Sequence, residues 1–164
     1  MDWGGILIEP CKSSYDKLVS NRATASSSCF NYAIAMEEGE ATMLTLSHPA
    51  MNRIDGKIME DKNRVFSRQS VPTIPIKKIF HDEKVRHIDL FSIDVEGSEY
   101  EVLSTMDWDI SVSVFLIEIK NRTSANAPKN EICRGILRDR GYAYHSSTRT
   151  DEVWVDPFFE YSSE

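Results

Sequence analysis

Residues 88–103, IDLFSIDVEGSEYEVL, change character at a single point. Ile88 to Asp94 is a short apolar run of β-branched and aromatic residues ending in an acid, the pattern of a buried strand. After Asp94-Val95-Glu96-Gly97 the spacing becomes helical. Ser98 and Glu101 fit a capping box, and the helix they open is expected to run to about Met106. A buried strand that ends in carboxylates and turns directly into a helix is the repeating unit of α/β folds.

The same alternation extends in both directions. Towards the C-terminus, VSVFLIEIK (Val112–Lys120) is almost continuously apolar, as strands covered on both faces are. A helix from about Asn130 to Arg140 follows, with Arg138 and Arg140 in its last turn and Gly141 at the position past the end. Tyr142–His145 and Glu152–Val155 close the chain as an antiparallel pair. Towards the N-terminus, Val71–Ile79 carries Pro72 and Pro75 and reads as an edge strand running into a short helix. Residues 47–70 lose periodicity and read as one long loop, the kind that serves as a lid or a binding loop or is disordered. Before it come a strand over Cys29–Met36, a Glu38-Gly39 turn and an extended run Glu40–Leu46, together a hairpin. The first elements are a buried strand, Gly5–Glu9, and a helix, Pro10–Arg22, with Tyr15, Leu18 and Val19 on its apolar face.

The expected fold is α/β: a doubly wound, mostly parallel sheet with an antiparallel C-terminal hairpin. With 164 residues, a single domain over 1–164 is expected. No apolar run approaches the ~18 residues of a membrane span. The first residues have neither a basic n-region nor a long apolar h-region, so no secretory signal is expected. Cys11, Cys29 and Cys133 fit neither a disulfide framework nor a zinc knuckle, which makes a reducing, cytoplasmic setting the expectation. A net charge of −7 opposes binding to nucleic acid or an anionic membrane. Lys57, Lys62, Arg64 and Arg68 form a local basic cluster, which reads first as a solvated loop.

In doubly wound sheets, ligands lie beyond the carboxyl ends of the strands. The acids at those positions are Glu9, Asp94, Glu96 and Glu118, with Lys120 and Asn121 just past the last. Glu9 suits a bidentate acceptor for two ribose hydroxyls, and equally a cap for the next helix. Asp94 and Glu96 stand at i and i+2 and can share a proton, hold a cation or orient a nucleophile. Glu99 and Glu101 read as ordinary first-turn acids. Glu118 interrupts an apolar strand, where an unpaired carboxylate costs several kcal/mol. His81, His87 and His145 show no metal-ligand spacing, and no metal site is expected. No phosphate-binding loop, Gly-x-Ser-x-Gly elbow or His-Glu-x-x-His is present.

Taken together, GILIEP, YDKLVSNR, NYAIA, IDLFSIDVEGSEYEVLSTMDW, FLIEIKN and DEVWVDP resemble the FkbM-type methyltransferases over nearly the whole chain. The Asp-x-Glu-Gly-x-Glu segment is the most specific part. The resemblance implies a Rossmann-like fold and S-adenosylmethionine as cofactor. Glu9, with Pro10 beside it, matches the acid that holds the cofactor ribose, and Ala33, Ile34 and Ala35 lie where the adenine is met. Asp94 matches a residue near both the methionine end and the substrate. Glu96, Glu99 and Glu118 belong to the same pocket in the family pattern, and Trp154 to a late strand. The implied reaction is methyl transfer to a hydroxyl of a small molecule or sugar, with Asp94, Glu96 and Glu118 as catalytic candidates.

Against the family order 3-2-1-4-5-7-6, the sequence opens on the second strand, and the first strand and glycine-rich loop have no counterpart. An N-terminally truncated sheet is therefore expected. Its strands two and four pair directly, or a partner chain or second copy completes it, since native sheets avoid bare edges. A remnant that keeps the fold without catalysis, docking a partner or itself through an open edge, is the alternative reading.

Overall fold

Asn31 ends one sheet and releases the chain into another. The computed structural model describes residues 4–22, 26–46, 53–55, 65–119 and 127–159, and these divide into two units, Met1–Pro75 and Ile76–Glu164.

In the first unit, β1 (Gly5–Ile8), α1 (Lys12–Arg22) and β2 (Ser27–Phe30) form a βαβ crossover. Its two strands pair in parallel from Gly5↔Ser27 to Ile8↔Phe30. Glu9 N–H extends the ladder to the Phe30 carbonyl at 3.0 Å. The Asn31 amide then donates to the carbonyls of Glu9 (2.8 Å) and Pro10 (3.0 Å), closing the end of the pair. This is why the strand expected over Cys29–Met36 breaks in two. β3 (Ala33–Ile34) leaves β2 and joins β4 (Gly39–Leu46), β5 (Arg53–Ile54) and β6 (Val65–Ile74) in the order β3-β6-β4-β5. Cys11, Ala33, Met43 and Val71 make the buried cluster of this unit, with Ala41 and Ile54 against it.

Three further expectations fail here. The hairpin expected of Cys29–Met36 with Glu40–Leu46 does not form, because β6 lies between β3 and β4. The loop expected over 47–70 contains β5 and the first six residues of β6; positions 47–52 and 56–64, with Lys57, Lys62 and Arg64, lie outside the described residues. Aperiodic polar composition conceals these strands because β4 supplies ladder partners from Gly39 to Leu46, and backbone pairing needs no apolar side chain. Nor is β6 an edge strand. It is flanked by β3 and β4, and Pro72 is accommodated because β3 reaches only Thr73 and Ile74.

The second unit comprises α2 (Ile76–Asp82), β7 (His87–Ile93), α3 (Glu99–Ser104), β8 (Ser111–Glu118), α4 (Ala127–Asp139), β9 (Ala143–Ser147) and β10 (Asp151–Val155). The strand order is β7-β8-β10-β9, with β7 parallel to β8 and β10 antiparallel to both neighbours. The expected C-terminal hairpin is present. Phe115 is fully buried and centres an aromatic cluster, with ring centroids 5.6 Å from Phe91 and 4.8 Å from Tyr142. Phe80 of α2 meets Phe91 edge-on at 5.6 Å. Thr105 serves two helices at once. Its hydroxyl donates to the Glu101 carbonyl at the end of α3, while its oxygens accept the Ile76 and Lys77 N–H groups that open α2.

The capping box does not form. Ser98 has φ −109° and ψ 19°, outside the extended conformation a cap adopts, and makes no side-chain cap bond. α3 also stops at Ser104, short of Met106. By contrast, the end of α4 closes as expected. Gly141 takes φ +88°, its N–H bonds to the Arg138 carbonyl and Tyr142 N–H reaches back to Leu137, a Schellman motif.

The architecture is thus α/β, but the described residues form a two-stranded parallel sheet and two four-stranded mixed sheets rather than one mostly parallel sheet. No described helix is long and apolar enough to cross a membrane.

Candidate functional site

The ladder between β7 and β8 sets the acids side by side. Its last register pair is Ile93↔Ile117, so the next residues, Asp94 and Glu118, are neighbours at the carboxyl ends of two parallel strands. Glu96 is brought to them by a reversal of the backbone. It adopts φ +49° and Gly97 φ +100°, two consecutive left-handed residues. For a non-glycine residue that conformation costs about 1–2 kcal/mol. One carboxylate oxygen from each of Asp94, Glu96 and Glu118 lies within 4.8 Å of the others; Asp94 is exposed and the other two half-buried. Like charges at that spacing repel by about 1 kcal/mol per pair in water and about 3 at an effective dielectric of 20. Such a cluster favours a cationic ligand, a shared proton or a bound cation.

Side chains hold the turn beneath the cluster. Glu99 Oε1 accepts the Gly97 N–H at 2.9 Å, and Lys129 Nζ donates to the Gly97 carbonyl at 2.5 Å and to Glu101 Oε2 at 3.1 Å. Glu99 is buried, not an ordinary first-turn acid. Burial raises its pKa, against hydrogen bonds from backbone N–H groups and the field of Lys129. Cys133 of α4 feels the same surroundings, and burial together with the Glu99 charge pushes its thiol up to about 12.

Glu9 belongs to the first unit, just past β1. Its Oε1 accepts the Cys11 N–H at 2.7 Å, immediately before α1, as the capping reading expects. Burial raises its pKa, partly offset by that bond. Burial also pushes the Cys11 thiol up, but hydrogen bonds from Ser13 and Ser14 outweigh it and leave the thiol below its ordinary value. Pro10 and Ala35 are half-buried, whereas Ala33 and Ile34 are buried in β3, so their side chains serve the core. The two groups of candidates therefore fall in different units. Lys120 and Asn121 lie outside the described residues.

Of the described histidines, His87 bonds across two strands. Its Nδ1 is 2.8 Å from Ser111 Oγ and its Nε2 is 3.2 Å from Ser113 Oγ, at the start of β7 and β8 and so at the opposite end of the ladder from the acids. Lys129 is the residue that sequence reasoning missed. Placed before the helix expected from Asn130, it looks like a linker lysine. In α4 it falls in the first turn, where the helix dipole disfavours a cation, and a lysine there signals a compensating partner.

The described residues are those of an α/β protein, and in open α/β sheets the carboxyl ends of parallel strands are where ligands lie. The family model for the methyltransferase FkbM domain matches residues 1–144, and the chain belongs to that family. No curated protein and no solved structure matches it.

Proposed function

We propose that this chain is an S-adenosylmethionine-dependent methyltransferase acting on a hydroxyl of a small molecule or sugar, with a Rossmann-like fold. The observation that carries the reading is the meeting of Asp94, Glu96 and Glu118 at the ends of β7 and β8 in a chain of the FkbM family. Each unit offers donors of its own, and it is the family resemblance that assigns them to parts of the cofactor. Glu9 offers a carboxylate beyond a parallel strand, the chemistry that recognises a ribose diol, and one of its oxygens is already oriented by Cys11 N–H. The acid cluster suits the positive charge of the methionine end. S-adenosylmethionine supplies an electrophilic methyl group on a sulfonium.

The chain's own task is then to bind, orient and deprotonate. Asp94 or Glu96 takes the acceptor's hydroxyl proton, and Glu118, beside Asp94, keeps the local field negative so that cationic character is favoured there. Pro10, Ala33, Ile34 and Ala35 are assigned to the adenine side, where Ala33 and Ile34 contribute backbone only because their side chains are buried.

Calorimetric titration with S-adenosylmethionine tests the reading. Wild-type chain is expected to bind, and Glu9→Gln and Asp94→Asn each to weaken binding by about tenfold or more, the worth of one charge-assisted hydrogen bond. Absence of heat at about 1 mM ligand, a bound-state free energy weaker than about 4 kcal/mol, overturns it.

One observation favours a second reading, a non-catalytic module that docks a partner chain or another copy. β7 is the end strand of its sheet, and Leu90 on it is 49 % exposed. Such an edge is a template for strand addition.

A further inference from the structure

Gly97 stands in the left-handed region with both of its backbone polar groups held by side chains: its N–H by Glu99, two positions on at the start of α3, and its carbonyl by Lys129, 32 positions later in the first turn of α4. The ladder of β7 ends at Ile93, so no strand pairing stabilises this turn. Glu96, itself left-handed, reaches the acid cluster only because of the reversal that Gly97 completes. From these contacts we infer that Lys129 is a positioning residue, which clamps the Gly97 carbonyl and the Glu101 carboxylate and thereby holds Glu96 beside Asp94 and Glu118.

The inference rests on the methyltransferase reading for the site's purpose, but not for the clamp itself. Lys129 suits the task for three reasons. Its side chain is two-thirds buried, at 32 % exposure, against a Glu101 side chain at 18 %, so the pair is shielded from screening. A lysine ammonium carries three donors, enough to serve a carbonyl and a carboxylate at once. Its position at the amino end of α4 is otherwise unfavourable for a cation, and the negative surroundings of Glu99 and Glu101 offset that cost. Glu96 is a non-glycine residue in the left-handed region, a conformation that persists only where neighbours over-determine it, and Glu99 and Lys129 do so by fixing Gly97 beside it.

The test has two arms on the intact chain. In the first, amide hydrogen exchange is followed by NMR for wild type, Lys129→Met and Lys129→Arg. The Gly97 amide is expected to be protected in wild type, to lose protection by about tenfold or more in Lys129→Met, and to keep most of it in Lys129→Arg. The Phe115 and Ile117 amides in β8 should stay unchanged throughout. An unaltered Gly97 amide in Lys129→Met overturns the inference, and so does loss of protection shared equally with β8, which is a general structural role. If Lys129→Met does not fold, Lys129→Gln, one bond shorter and uncharged, is measured and judged in the same way.

In the second arm the same variants are titrated with S-adenosylmethionine. Affinity should fall by about tenfold in Lys129→Met and recover in Lys129→Arg. Equal affinity in Lys129→Met with a loosened Gly97 overturns the positioning role. If wild type itself does not bind, the methyltransferase reading falls while the exchange arm still decides the clamp.

Discussion

Glu99 shows how a single buried side chain links stability to pH. Its carboxyl is 8 % exposed and its pKa is raised above 4.5 by burial. As pH rises, the unfolded chain therefore releases this proton first. The contribution to stability is complete below the unfolded value and is lost as pH climbs through the higher folded one. Glu99→Gln keeps an oxygen for the Gly97 N–H and removes the titration. Its melting temperature should exceed that of wild type at neutral pH, with the gap closing towards about pH 4; curves that run parallel from acid to neutral pH would contradict the burial argument. The strand-end acids Asp94 and Glu118 were legible in the sequence, because a carboxylate closing an apolar run is conspicuous. The role of Glu99 was not, since position within a helix turn says nothing of which way that turn is packed.

Among the elements, α4 and β10 are joined through a buried acid. Glu152 is buried, accepts from Arg134 Nε at 2.9 Å and Nη2 at 2.6 Å, and takes the Trp154 indole N–H at 3.1 Å. Arg134→Met leaves that carboxylate without its guanidinium and should cost about 3–5 kcal/mol in urea unfolding. The double variant Arg134→Met, Glu152→Met should recover only part of the loss, because the buried Trp154 indole N–H then lacks its acceptor, whereas additive losses would show that packing rather than charge governs the joint. At the other end of the same helix, Gly141→Ala forces a Cβ into φ +88°. A destabilisation of about 1 kcal/mol is expected. The end of α4 could be anticipated from Arg138, Arg140 and Gly141. The beginning of α3 could not, because the Ser98 and Glu101 pair satisfies the spacing of a capping box while the left-handed residues before it point Ser98 elsewhere.

At the scale of the whole molecule, the chain divides into two units, and β7, the end strand of its sheet among the described residues, offers a measurable consequence. If that edge pairs with another chain, sedimentation should show association that rises with concentration and is abolished by Leu90→Lys, since a charge on an edge strand blocks pairing. A monomer at all concentrations would leave the edge to a different partner or to none. The sequence by itself determined that the chain is α/β, where most helices and strands fall, that its acids gather at strand ends, and that it resembles the FkbM methyltransferases. Those features are local: side-chain periodicity, turn residues and motif spacing. Tertiary structure alone decided which strands pair, that Asn31 closes β1 and β2 and sends β3 to another sheet, and that Lys129 reaches the turn bearing Glu96. Hydrogen bonds between residues 22 and 32 positions apart are chosen by competition among all available donors and acceptors, and no periodicity records the outcome.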